Sequence, residues 1–537
     1  MLEHLEHKKK LAIMLAIMSA MLFAALNQTI VGTALPKIIA TLGGMEYYSW
    51  VFTMYMLTSS VTAILVGKLS DLYGRKPFIL VGIGIFTVGS FLSGLSNDII
   101  QLILFRGIQG LGAGLIMSTS FTAIGDLFSP RERGRWQGLM TSVFGLASVF
   151  GPTLGGWIVD NSDWHWVFWV FLPVGLVAFF MILFLFPKVE AKQKEPIDFL
   201  GSVMITLTIV PLLLAFTWGG KEYDWVSMPI ISLLIGTLMA LSLFIFVEKR
   251  AKSPVLPLGL FKNEIFTLSN IIGFILGFGM FGAIMYMPFF IQGVIGTSAT
   301  KSGFIMMPMT ISMVVASTIS GQLMTKTGKY KRNALLGLLI MSMGMYLQSL
   351  MDHETTIALA TFYNIIVGFG LGLSLPVFTL TVQNATDQKL LGVATSSVQL
   401  FRQIGGTVGV GLMGTIMNNK ISSNINESVT SNQLIDRTST MSELLSKIQN
   451  PQLLINHEKL ADIRSDVPTE MLSMFDGMIE IVRKAMTDAI TDVFLVGSIV
   501  VFSGFLLTFL LKEIPLRQSQ PKEKHLESEE KKIVANR

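Results

Sequence analysis

The chain has 537 residues, 51% of them hydrophobic and only 14% charged, with a mean hydropathy of +0.61. A soluble domain carries roughly 25% charged residues and single soluble cores stop growing near about 250–300 residues, so a soluble globular protein is excluded. The net charge of +5 is scattered through short loops between apolar runs, which points to membrane topology rather than to nucleic acid. With no cysteine, disulfides, thiolate nucleophiles and Cys-ligated metals are excluded as well.

Residues 1–10 form a basic N-terminus, and the apolar run after Lys8-Lys9-Lys10 continues to Pro36 without a small-residue cleavage pattern. It reads as a first span, not a cleavable signal. A transmembrane helix needs about 20 mainly apolar residues. In chain order such runs occupy 11–36, 47–66, 78–97, 99–125, 136–159, 166–186, 199–218, 225–247, 265–292, 302–325, 333–351, 355–382, 391–419 and 493–511. They are too long and uniform for the alternating strands of about 10 residues in a barrel. The fold class is therefore all-α integral membrane, with 14 transmembrane helices.

Placing the N-terminus in the cytoplasm leaves Lys37, Lys221 and Lys301 as the bases of the short outer loops, with the other loop bases inside. Trp50, Trp157, Trp164, Trp166, Trp169, Trp218 and Trp225 then fall at outer helix ends, as an interfacial belt should. Both termini are cytoplasmic on this reading, 420–492 is an extracellular loop carrying short surface helices, and 512–537 is a charged, disordered cytoplasmic tail.

The chain also repeats. Gly67, Gly74, Gly114, Gly138 and Gly151 recur as Gly321, Gly328, Gly368, Gly392 and Gly405, always 254 positions later. The shared offset divides the chain into an N-terminal six-helix bundle (11–186), an inserted helix pair (199–247) and a C-terminal six-helix bundle (265–511).

Four features carry chemistry. In the loop Gly67-Lys68-Leu69-Ser70-Asp71-Leu72-Tyr73-Gly74-Arg75-Lys76 the glycines permit a tight turn, and Asp71 can accept bonds from helix N-terminal amides. Arg106 lies in mid-helix within Arg106-Gly107-Ile108-Gln109-Gly110, costly in a membrane unless paired or facing water. The fifth span holds Gly145, Gly151, Pro152, Gly155 and Gly156, small residues for close helix approach and a proline for a bend. Arg402 is the second arginine in a span.

These motifs resemble the major facilitator superfamily. Leu26–Pro36 (LNQTIVGTALP), Trp50-Val51-Phe52-Thr53, residues 131–135 (RERGR), Gln292-Gly293-Val294 with Ser302-Gly303, and residues 401–406 (FRQIGG) narrow the likeness to its fourteen-helix drug/proton antiporter branch. The resemblance implies efflux of amphipathic small molecules by alternating access, proton-coupled and without a cofactor. It implies a membrane-embedded monomer of the bacterial cell membrane, in contact with lipid and not with nucleic acid. It places Asn27, Arg106, Gln109 and Arg402 on the substrate and proton pathway. It assigns Gly67, Asp71, Gly74, Arg75 and Asp126 to a conformational latch in which Arg75 pairs with Asp126, and residues 145–156 to an antiporter motif.

Two departures stand out. The branch usually has an aspartate where this chain has Asn27, and no Asp, Glu or His falls inside the fourteen runs. A naturally altered coupling scheme, an engineered substitution, or protonation at Asp71, Asp126 or Asp160 would each account for this. Arg106 and Arg402 are expected to line opposite halves of one cavity lacking fixed negative charge, favouring neutral or anionic amphiphiles. A lipid or glycolipid flippase of the same fold is the alternative. A membrane enzyme is disfavoured, because the spans offer no His, Cys or carboxylate, and a sensor would act through 420–492.

Overall fold

The structure, a computed structural model, describes residues 6–42, 47–187, 198–220, 222–297, 299–431 and 472–514, with isolated positions between 460 and 516. Its long helices are α1 (His7–Leu42), α2 (Tyr48–Tyr73), α3 (Arg75–Ser93), α4 (Ile99–Leu127) and α5 (Pro130–Asn161). The short α6 (Trp166–Trp169) and α7 (Leu172–Leu185) form one crossing, interrupted where Pro173 enters the first turn of α7. Then come α8 (Phe199–Trp218), α9 (Met228–Glu248), α10 (Glu264–Phe289), α11 (Ala299–Thr327), α12 (Lys331–Ser349), α13 (Ile357–Ala385), α14 (Leu391–Ser431) and α15 (Leu472–Thr508).

Twelve helical stretches among the described residues are long and apolar enough to cross a membrane. The helices α12 and α14 complete the fourteen; they are more polar, and several polar side chains of α12 are paired inside the protein. On α12, Ser342 bonds the Ser498 carbonyl at 3.1 Å, Gln348 bonds Asn364 at 2.9 Å and Asn333 bonds the Ser320 carbonyl at 3.1 Å. Internal pairing removes the cost of bringing polar groups into lipid.

The two bundles pack alike. In the first, α1 lies on α5 and α7, and α4 on α2 and α3; in the second, α10 lies on α14 and α15, and α13 on α11 and α12. The offset glycines make matching contacts. Side chains added at Gly67 and Gly392 would each strike the other helix, so α2 and α14 touch backbone to backbone. Gly138 and Gly321 do the same for α5 and α11. The repeated glycines thus mark the two seams where the bundles meet, and the inserted helix α8 lies against α2 and α14 at one of them.

Both α14 and α15 exceed the sequence boundaries. At 41 and 37 residues they are about 60 and 55 Å long at 1.5 Å per residue, far beyond a hydrocarbon core of about 30 Å. Lys420 pairs with Asp492 at 3.2 Å and Asn424 bonds Asp488 at 3.3 Å, stitching the projecting turns together. The expected loop 420–492 therefore begins and ends as helix, while 432–459 lies outside the described residues. The acid-free apolar runs likewise continue as helix into charged stretches: α2, α4 and α9 reach Asp71, Asp126 and Glu248 near their ends, and α15 carries Asp488 and Asp492 ahead of the apolar run 493–511. The first residues of the expected tail 512–537 are fixed against the second bundle. Glu513 accepts the Tyr330 and Lys331 amides at 2.8 and 3.1 Å, an anion placed on the N-terminus of α12.

Candidate functional site: two seams and a buried arginine

The end of the bundles that carries residues 67–76, called here the loop end, is closed. Gly74 adopts φ 86°, open to glycine at little cost, and this reverses the chain between α2 and α3. The turn brings Arg75 under α4, where its Nε donates to Asp126 at 3.0 Å and its Nη1 to Ser70 at 2.7 Å. Its Nη2 donates to Asp71. Asp71 in turn crosses the seam, accepting the Gly392 and Val393 amides at 2.9 and 3.1 Å. These are free amides at the start of α14, where the helix dipole favours an anion. The predicted latch residues Gly67, Asp71, Gly74, Arg75 and Asp126 thus converge, with Ser70 as an unforeseen member.

A second node was not legible in the sequence. Gln383 on α13 donates to Thr395 at 2.9 Å and to the Phe121 carbonyl at 3.3 Å, and accepts from Gln137 at 3.3 Å. One amide therefore joins α4, α5, α13 and α14 at the loop end. Nearby, Ser317 donates to the Gly138 carbonyl at 3.2 Å across the α5–α11 seam.

The same seam parts toward the far end. Gly145 packs on Val314 and Thr310, but a side chain at Gly156, three turns beyond, would meet no described residue within 4 Å. Gly303, on the face of α11 that carries Thr310 and Ser317, likewise has no described residue within 4 Å of an added side chain. Within the antiporter motif the glycines therefore differ in role: Gly145 touches the other bundle, Gly151 lets Thr29 of α1 come close, Gly155 is buried and Gly156 faces space. The Pro152 side chain lies outside the described residues, and α5 continues through its position.

Arg106 is fully buried, which departs from the expected cavity-lining position. Its Nη1 donates to Gln109 at 2.6 Å and to Asn27 at 3.2 Å, and Gln109 donates to the same Asn27 oxygen at 2.9 Å. The Asn27 amide reaches Ser90 at 3.2 Å, whose hydroxyl donates to the Phe168 carbonyl. The guanidinium sits 4.2 Å from the centre of the Tyr55 ring, a contact worth about 2 kcal/mol once desolvated. Arg106 Nη2 has no partner among the described residues. Asn27, Arg106 and Gln109 are thus brought together as a cation held by neutral groups inside the first bundle. Tyr55 and Ser90 complete it, though no sequence signal marked either.

Arg402, in contrast, is partly exposed, and no hydrogen bond or ion pair links its guanidinium to another described residue. Its helix places Gly405 and Gly406 one turn on, against Phe274 and Phe281 of α10. Glu248 was overlooked because it ends α9: it is buried, accepts the Leu256 amide at 3.2 Å, and leaves Oε2 unpartnered. Among the described residues no group of three or more His, Cys, Asp or Glu could hold a metal ion.

Two six-helix bundles related by an internal repeat, closed at one end and parted at the other, narrow the possibilities. The model of the Major Facilitator Superfamily matches residues 17–410. The chain belongs to the major facilitator superfamily. Its relatives include the multidrug transporter protein MdtP of Bacillus subtilis, 39% identical over 99% of this chain and 98% of that protein. Multidrug resistance protein 3 of the same organism is 34% identical over 93% and 95%. Among solved structures, the human organic anion transporter MFSD10 superposes with a TM-score of 0.62, covering 93% of this chain and 99% of that one. The proton:xylose symporter XylE gives 0.59, covering 94% and 96%. At 12% and 11% identity these two support the fold of this facilitator, not its substrate.

Proposed function

We propose that the protein is a proton-coupled exporter of amphipathic small molecules, acting as a monomer in a bacterial cell membrane with both termini in the cytoplasm. The observation that carries this reading is the α5–α11 seam, zipped from Gly134 to Gly145 and open at Gly156 and Gly303. With the loop end in the cytoplasm, that geometry is the outward-open half of an alternating-access cycle. Return to the inward-open state requires Asp71 to release the start of α14 and the glycines at the far end to pack. The named relatives are drug transporters, which favours small-molecule efflux over lipid export.

Coupling to protons needs a group that titrates, and Asn27 does not. The latch supplies carboxylates instead. Protonation of Asp71 would remove the charge from its bonds to the Gly392 and Val393 amides, and charge-assisted bonds are about twice as strong as neutral ones. Proton uptake would thereby loosen the loop end. Arg106, Asn27 and Gln109 act in this scheme as a rigid cationic post in the first bundle, and no cofactor is required. The test is efflux from proteoliposomes, with and without an imposed pH gradient, using cationic, neutral and anionic amphiphiles. Gradient-driven movement of at least one is expected; movement of none, or movement indifferent to the gradient, would refute proton-coupled export.

A further inference from the structure

We infer that Arg402 recognises an anionic group on the transported molecule, so that this exporter favours amphiphiles bearing one sulfonate, carboxylate or phosphate. The inference rests on the export reading above and names its substrate class.

Three observations point there. First, Arg402 is partly exposed, while its helix is packed by α2, α4, α8, α10, α13 and α15. Surrounded in this way, α14 opens the surface of Arg402 to the space between the bundles rather than to lipid. Second, the guanidinium has no hydrogen bond or ion pair with any described residue, whereas Arg106 is enclosed and occupied by Asn27, Gln109 and Tyr55. A guanidinium presents five donors and does not lose its charge in proteins, so an unpaired one in mid-membrane calls for an acceptor. Gln399, one turn before it, has a buried Nε2 that is also without a partner among the described residues, and Gln403 beside it is partly exposed. Third, the internal repeat supplies a check on direction. The position 254 residues earlier is Ser148, which is exposed on α5 just beyond the zipped part of the seam. The pseudo-symmetry thus sets Arg402 at the matching level of the other seam, between α2 and α14 and beyond the Gly67–Gly392 contact. No acid falls within the fourteen apolar runs to compete for Arg402. Amide donors flanking an arginine match the oxygens of a sulfonate, carboxylate or phosphate.

An anionic lipid headgroup offers the same chemistry as a free amphiphile, so the experiment separates them. Purified full-length protein is reconstituted in phosphatidylcholine, with or without phosphatidylglycerol, and a pH gradient is imposed. Transport is followed for anilinonaphthalenesulfonate, for its neutral analogue phenylnaphthylamine, and for the cation ethidium. The sulfonate is expected to be moved with the lowest KM. R402Q should raise that KM about tenfold or more, R402K should raise it less, and the KM for phenylnaphthylamine should move by less than about twofold. If phosphatidylglycerol raises the sulfonate KM in the wild type but not in R402Q, the lipid headgroup also occupies the site; without that effect the free amphiphile is its ligand. Ethidium moved in preference to the sulfonate, or R402Q depressing all three probes alike as a packing defect would, overturns the inference while leaving export standing. If none of the three is moved, the export reading itself fails.

Discussion

Replacing Asp71 with Asn should shift the resting protein toward opening at the loop end. The wild-type carboxylate is nearly enclosed, with 3% of its side chain accessible. It accepts two α14 amides and one Arg75 nitrogen. Asparagine keeps one acceptor oxygen and loses the charge. Breaking a buried ion pair costs about 3–5 kcal/mol, but Arg75 retains Asp126 at 3.0 Å, so the loss is smaller. The bonds to Gly392 and Val393 exist only while the loop end is closed, and hydrogen bonds to charged groups contribute about 1.5–3 kcal/mol. A net loss of about 2 kcal/mol changes the ratio of closed to open loop ends roughly thirtyfold. The chain has no native cysteine, so spin labels can be placed at Tyr73→Cys and Lys389→Cys, both exposed on either side of this seam. Double electron–electron resonance should show one short distance in the wild type and an added longer population in D71N. An unchanged distance distribution in D71N would refute the latch as a determinant of the resting state.

Three further outcomes are expected. Asn27→Asp places a carboxylate about 3.2 Å from Arg106 and should stabilise the folded protein by about 1–3 kcal/mol, read as a higher Tm in detergent. It should also make transport depend more steeply on the pH gradient; no change in either measurement counts against the Arg106 cluster as a site short of an anion. Gly156→Ala meets open space here, so its Tm should match wild type while turnover falls severalfold, because the seam must pack there in the opposite state; full turnover would mean that it does not. Glu248→Gln keeps an acceptor for the Leu256 amide and should be near neutral in Tm, whereas Glu248→Ala should cost about 1–3 kcal/mol. Equal losses in both would show that the charge, not the acceptor, matters.

Much of the fold was legible because lipid imposes it. Uninterrupted apolar runs the length of a bilayer leave helices as the available structure, and a constant glycine offset revealed the repeat before any contact was known. The latch was legible for a related reason: Gly74, Arg75 and Asp71 lie within five positions of one another, so a tight turn brings them together whatever else the chain does. Spacing marks local partners well. It failed at the helix ends, where α14 and α15 run on into charged turns because Lys420 finds Asp492 and Asn424 finds Asp488 on the neighbouring helix.

The linear order of residues therefore determined the helices, their pairing by repeat and the turn that holds Arg75. Tertiary structure alone decided which arginine is sealed and which is open. Arg106 and Arg402 look alike in sequence, each a base in an apolar run, but Tyr55, Asn27 and Gln109 close around the first, while the second is partly exposed and no described residue bonds its guanidinium. It also decided that Gly145 and Gly156, eleven residues apart on one helix, stand on opposite sides of the point where the bundles part. Charge and apolar periodicity act along a helix; the angle between two bundles is set by contacts among residues hundreds of positions apart, and no local pattern encodes it.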